Sequence, residues 1–299
     1  MTNLIDDNLL NELRNRMTST IDPCEEVERL RSQLEHVNNK LQEAEKVQSH
    51  FLSNIRCEIN NPLTAIMGHC AYLRGLSEMN LDRVHDVALT IFNEAFELDF
   101  QMQNIIAAAE FEAGDRNLFI SRVDIHFVLD MLIETFQPRL LSKQLSLTLQ
   151  NTIPKSRFFS TDANCLHLVM SNILNNAIEY SPEKTKLEVI ASVDDQALYL
   201  TVHDHGIGIE PSMLHTIFDR FRQLDQGAQR QHKGHGLGLS VCRAALDLLD
   251  GRIDVQSQPE QGSTFSIVIP ETSTPIEAGD IAPDANTIIF ESSLNEAKQ

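Results

Sequence analysis

The stretch Asn172-Ile173-Leu174-Asn175-Asn176-Ala177-Ile178-Glu179-Tyr180-Ser181 decides how the rest of the chain is read. Asn172 and Asn176 are four residues apart and so share one face of a helix. That helix-like run covers 164–180, with others at 127–141 and 237–249. Between them the periodicity switches to strand-like runs at 145–149, 187–192, 198–203, 253–256 and 264–269. Such alternation predicts an α/β sandwich over 116–270, one sheet covered by helices, with Pro270 closing the last strand. Residues 271–299 form an acidic tail rich in Pro, Thr and Ser, expected to be largely disordered. Its apolar patch at 287–290 is suited to docking as an added strand.

Upstream of residue 116 the pattern is helical throughout. A short helix-prone head, 1–23, ends near Pro23. From Glu25, heptad positions fall three and four apart, all apolar except Gln48: Val27, Leu30, Leu34, Val37, Leu41, Ala44, Gln48 and Phe51. Over 24–50 this spacing predicts a parallel dimeric coiled coil; a single amphipathic helix packed on its own domain is the alternative. The helix continues from Pro62 to Leu73, and Gly75, Ser77 and Asn80 break it. A second helix follows over 82–112, and Gly114 suits its C-cap. The hairpin 51–115 leaves an apolar stripe too wide to cover alone, so two copies should pair into a four-helix bundle. The fold class expected is α + α/β: a coiled-coil and helical-hairpin dimerisation domain, then the sandwich.

Composition narrows the function classes. At 299 residues the chain has room for two domains. No apolar run approaches the ~18–20 residues of a membrane-spanning helix, and Asp6, Asp7 and Glu12 are unlike a secretory signal. A soluble, cytoplasmic protein without membrane insertion is expected. A net charge of −19 repels nucleic acid and anionic membranes alike. The five cysteines (24, 57, 70, 165, 242) lack C-x-x-C spacing, which suggests reduced thiols rather than disulfides or a zinc site. With Trp absent and three Tyr, a base-stacking surface is not expected.

Three more motifs accompany the first. Asp204-His-Gly206-Ile-Gly208-Ile209 follows a strand, and its glycines permit close backbone approach; alone, it could be an ordinary strand-to-turn exit. Ile217-Phe218-Asp219-Arg220-Phe221-Arg222-Gln223 comes next. Then Gly234-His-Gly236-Leu237-Gly238-Leu239 opens a helix, where backbone N–H groups make a natural phosphate cradle. Arg222, Arg230 and Lys233 lie in a polar run, 222–233, that reads either as a mobile lid or as a plain surface loop. In this order and spacing the four motifs resemble the ATP-binding domain of the sensor histidine kinases, within the group that includes gyrase, Hsp90 and MutL. The run Gly262-Ser-Thr264-Phe265 is similar to that family's last hairpin. The stretch Phe51-Leu52-Ser53-Asn54-Ile55-Arg56-Cys57-Glu58-Ile59-Asn60-Asn61-Pro62-Leu63 resembles its phosphoacceptor box, and the likeness covers about residues 50–270.

The resemblance implies roles residue by residue. ATP and Mg²⁺ are the cofactors. Asn172 and Asn176 would face the nucleotide, with Asn176 on the Mg²⁺ through its amide oxygen. Asp204 would accept from adenine's amino group, beside Gly206, Gly208 and Tyr180. Phe218 and Phe221 would position the lid, and Arg222, Arg230 and Lys233 would meet the phosphates over Gly234, Gly236, Leu237 and Gly238. Thr264 would complete the site. Glu179 stands where many members have Lys, and either repels the γ-phosphate or points to solvent.

The acceptor position departs further, because Cys57 stands where the family has its phosphorylated histidine. Glu58, which would orient that ring, and Asn61, which would place a water for phosphatase chemistry, are kept. Pro62 is expected to kink the helix. A free thiol titrates near ~8.5 and an adjacent carboxylate raises that, so phosphoryl transfer to Cys57 is disfavoured. Cys57 is then filler, a redox-sensitive thiol or a phosphorylated cysteine. His50 and His69 lack the acidic neighbour that would make either a substitute. Three functions remain open. The first is an ATP-Mg-binding homodimer that regulates or dephosphorylates a response-regulator receiver domain or modulates a partner histidine kinase. The second is an active phosphotransferase using Cys57 or a partner's histidine. The third is an ATP-gated adaptor.

Overall fold

A computed structural model describes residues 23–76, 80–221 and 236–272, with the backbone alone for 23–26, 37 and 39–58. The chain divides into two compact units, 1–54 and 55–299. In the first, the described residues begin helix α1 (Pro23–Arg74). Its heptad residues Val27, Leu30 and Leu34 are 62%, 47% and 70% exposed, an apolar row without cover. The head up to residue 22 and the tail from 273, including the patch 287–290, lie outside the described residues.

In the second unit α1 continues through Pro62 without a break, although proline removes one i→i−4 bond. The Thr64 hydroxyl donates to the Asn60 carbonyl at 2.7 Å beside the gap. Helix α2 (Leu81–Ala113) starts where the Asn80 side chain accepts from Arg83 N (3.2 Å). It stops at Gly114, whose φ of 69° and N–H bond to Glu110 O make the expected left-handed cap.

The sandwich follows as β1 (Ile120–Val123), α3 (Ile125–Ser142), β2 (Ser146–Asn151), β3 (Phe159–Asp162), α4 (Ala163–Tyr180), β4 (Lys186–Val193), β5 (Ala197–Asp204), α5 (Gly238–Leu248), β6 (Arg252–Gln258) and β7 (Gly262–Pro270). Five strands form one sheet in the order β2-β4-β5-β7-β6. Only β2 and β4 run parallel, and the connection between them includes α4. β1 and β3 pair separately as a second, two-stranded antiparallel sheet that was not expected from the sequence. Each is four residues long, and neither alternates between buried and exposed positions. Asp162, at the end of β3, caps α4 by accepting from Cys165 N (2.9 Å) and ties in the loop before β1 by accepting from Phe119 N (2.7 Å).

Alternation decides which face of the large sheet is covered. Leu187, Val189 and Ala191 of β4 and Leu198, Leu200 and Val202 of β5 are buried, while Ile190 and Tyr199 point the other way and are exposed. The buried face meets α3, α4 and α5 around Phe136, Leu166, Ile173, Leu198, Leu200 and Ile267, each 1% exposed or less. Burial of each such side chain stabilises the fold by roughly 1.5–3 kcal/mol.

Helix α2 packs on this domain as well. Phe96 and Phe100 meet the edge of Phe136 with ring centroids 5.3 and 6.4 Å away. Beside them the Arg139 guanidinium bridges Glu97 of α2 (3.2 Å) and Glu179 of α4 (3.3 Å), and also bonds the Asn175 side chain. Lys143 closes the end of α4, its ammonium donating to the carbonyls of Ile178 (2.8 Å) and Glu179 (2.7 Å).

Candidate functional site

Asp204 is the last residue of β5 and the last buried position in its alternation, 4% exposed beneath the ends of β5 and β7. Its Oδ1 accepts from Gly206 N (2.8 Å) and Ser263 N (3.2 Å). Oδ2 accepts from no described residue. Burial raises the carboxyl above the usual aspartate range, and the two backbone bonds oppose that rise without cancelling it. The result is a fixed acceptor in an apolar setting, suited to an N–H donor on a ligand.

Glycines let the backbone close around it. At Gly206 a β-carbon would lie 2.6 Å from Tyr180 O and 2.8 Å from Asp204 Oδ1. At Gly208, with φ +69°, it would lie 1.9 Å from Gln258 O. Ile207 N donates to Tyr180 O (3.2 Å) and Glu260 N donates to Ile207 O (2.7 Å), so the turn is pinned on both sides.

The cavity that opens on Asp204 is lined by Asn172, Asn176 and Tyr180 of α4, by Gly208, and by Gly236, Leu237 and Gly238 at the start of α5. Leu237, the N-cap of α5, offers no side-chain cap bond, and among the described residues no side chain takes the first N–H groups of that helix. The two asparagines differ. Asn172 donates to Asn104 Oδ1 (2.7 Å) and Leu168 O (2.9 Å), and its own Oδ1 sits where a β-carbon on Gly238 would be 2.6 Å away. Asn176 lines the cavity with an amide that makes no hydrogen bond to a described residue. Its amide oxygen is open to a metal. A single protein oxygen suits Mg²⁺, which keeps waters and takes phosphate oxygens for the rest. Among the described residues no cluster of His, Cys, Asp and Glu forms a metal site of its own.

Several residues singled out from the sequence stand elsewhere. Thr264 points to the opposite face of the sheet, where its hydroxyl bonds His203 Nδ1 at 2.8 Å, and its neighbours Ser263 and Phe265 line the cavity instead. Phe218 packs beneath the Arg243 guanidinium (4.8 Å from the ring centre) and against the core, outside the lining. Phe221 has φ 65° and donates from its N–H to Gly236 O (2.9 Å), joining the two ends of 222–235. Glu179 neither faces the cavity nor stands free, because Arg139 pairs with it. Asn61 is exposed on α1. Arg222, Arg230, Lys233 and Gly234 lie outside the described residues, as do the side chains of Cys57 and Glu58. Conversely, Glu97, Phe100, Gln101 and Asn104 of α2 line the cavity without any local sequence signal that would mark them.

Residues 161–273 match the family described as histidine kinase-, DNA gyrase B-, and HSP90-like ATPase. The chain is 30% identical over 234 residues to the autoinducer 2 sensor kinase/phosphatase LuxQ of Vibrio vulnificus, which covers 77% of this chain. It is also 30% identical over 238 residues, 79% of its length, to the circadian input-output histidine kinase CikA of Thermosynechococcus vestitus. The chain belongs to the histidine-kinase family. This histidine-kinase-family chain spans 27% of LuxQ and 33% of CikA. Its fold is that of full-length ShkA, solved in complex with AMPPNP, at a TM-score of 0.52 and 21% identity over 77% of this chain and 48% of that one. No helix among the described residues is long and apolar enough to cross a membrane.

Proposed function

We propose that this histidine-kinase-family chain binds ATP with Mg²⁺ around Asp204 and forms a homodimer through residues 24–115. In this reading it regulates or dephosphorylates a response-regulator receiver domain, or modulates a partner histidine kinase, in the cytoplasm and without phosphorylating itself at residue 57. The observation that carries the nucleotide reading is the Asp204 carboxylate, fixed by Gly206 N and Ser263 N at the mouth of a glycine-lined cavity. Its free oxygen accepts from adenine's amino group, and Gly206 and Gly208 let the base come close. The backbone N–H groups at Gly236–Gly238 take phosphate oxygens, joined by Arg222, Arg230 and Lys233. Asn176 contributes an amide oxygen to Mg²⁺, which neutralises phosphate charge when bound. The uncovered row Val27, Leu30 and Leu34 supports pairing with a second copy.

At residue 57 a thiol replaces the imidazole, and Glu58 disfavours its ionisation. Asn61 stays exposed on α1, where it is open to a receiver domain and a water. LuxQ's description as a kinase/phosphatase supports the dephosphorylating branch. The test uses γ-labelled ATP. Wild type is expected to take up no label and Cys57→His to take it up. Label on wild type that disappears in Cys57→Ala would overturn the reading. Aspartyl phosphate on a receiver domain should be removed by wild type faster than by Asn61→Ala.

A further inference from the structure

Gln101 of α2 lines the same cavity and is 6% exposed. Its Nε2 donates to Glu97 Oε1 at 2.9 Å, and Arg139 in turn holds Glu97 at 3.2 Å. The amide nitrogen is thereby used, and Oε1 accepts from no described residue. An acceptor kept dry and unpaired is costly, and native proteins rarely leave one so without a ligand or water to meet it. One turn further along, Asn104 donates to Phe100 O (3.1 Å) and accepts from Asn172 (2.7 Å), fixing the orientation of the α4 asparagine. The row Gln101, Asn104, Asn172 thus runs from the hairpin into the cavity.

We propose that α2 is a wall of the nucleotide site: Gln101 Oε1 accepts a hydrogen bond from an O–H or N–H donor of the bound nucleotide, and Asn104 is a positioning residue for Asn172. The inference rests on the nucleotide reading above. The donor is a sugar hydroxyl or a base amino group, both of which suit a neutral amide oxygen. Nucleotide binding and docking of α2 then strengthen each other by the same factor.

The test is equilibrium binding to the full chain with Mg²⁺ present. ATP, 2′-deoxy-ATP, 3′-deoxy-ATP and purine riboside triphosphate each compete against a fluorescent ATP analogue. Gln101→Met keeps the shape and removes the acceptor; it should weaken ATP about five- to tenfold, the range of one neutral hydrogen bond. The analogue lacking the relevant donor should bind wild type and variant alike, which identifies the group. Gln101→Leu repeats the measurement in a second background. Asn104→Ala should weaken ATP, and Asn104→Asp, which keeps the acceptor for Asn172, should restore most of the loss. Equal ATP affinity for wild type and Gln101→Met overturns the proposal, and so does an equal loss for ATP and all three analogues. If wild type binds no ATP, the nucleotide reading itself fails. If wild type binds, Asp204→Asn does not and Gln101→Met matches wild type, only the role of α2 fails.

Discussion

Around Asp204 a β-carbon at Gly208 would come within 1.9 Å of Gln258 O, and one at Gly262 within 1.9 Å of Asp204 O. Residue 57, by contrast, sits in the middle of α1, where cysteine and histidine have nearly the same helix propensity. The first region cannot change without disturbing the backbone. The second can exchange its chemistry while the helix notices little. The fold therefore requires these glycines as much as any ligand does. More informative are polar residues the fold does not use: Asn176, whose amide bonds no described residue, and Asn61, exposed on α1.

The contrast can be broken most forcefully at Gly208. Gly208→Ala combines a left-handed backbone with a clash against a carbonyl, and should cost about 3 kcal/mol or more in urea unfolding. A loss below about 1 kcal/mol would show that the turn is looser than its geometry. Next is Arg139→Met, which leaves Glu97 and Glu179 without their shared partner. Their side chains are 15% and 21% exposed, so the cost should be about 2–3 kcal/mol, below that of a fully buried charge.

Asp204 separates stability from function. Its carboxyl is raised above the unfolded value, so the proton it holds favours the folded state. The stabilisation it contributes is fully present below the unfolded pKa and is lost as pH rises through the folded one. Asp204→Asn should flatten that part of the stability-against-pH curve while weakening ATP binding. A curve unchanged in shape would mean the carboxyl is less confined than its burial implies. The smallest effect is expected at residue 57. Cys57→His should shift stability by no more than about 0.5 kcal/mol, even if it restores label uptake. A large shift would mean that residue 57 is under packing control after all.

The parts of this molecule visible in its sequence are those written in short-range periodicity. Alternation in 187–192 and 198–203 places β4 and β5, and Gly114 marks the end of α2, because strand faces and left-handed caps are local requirements. The paired strands β1 and β3 escape notice because burial does not alternate along either of them. Thr264 shows the limit of motif matching, since strand parity turns Ser263 and Phe265 into the cavity and sends Thr264 to His203. The pairing of Arg139 with Glu179 joins residues 40 apart in the chain, and Asn104 meets Asn172 across 68. Nothing local announces such contacts. They come from the docking of one packed helix on another.

Beyond Ala197 at its start, the buried positions of β5 are Leu198, Leu200, Val202 and Asp204, one continuous set of even steps. The carboxylate owes its dry, fixed place to the same count that buries three aliphatic side chains before it. Deleting one residue early in β5 would exchange odd for even in all that follows, sending the carboxylate to the other face and His203 inward, together with the aliphatic residues beyond the deletion. The site thus depends on a count as well as on chemistry: a substitution along the strand leaves its parity alone, whereas a change in the number of residues shifts it.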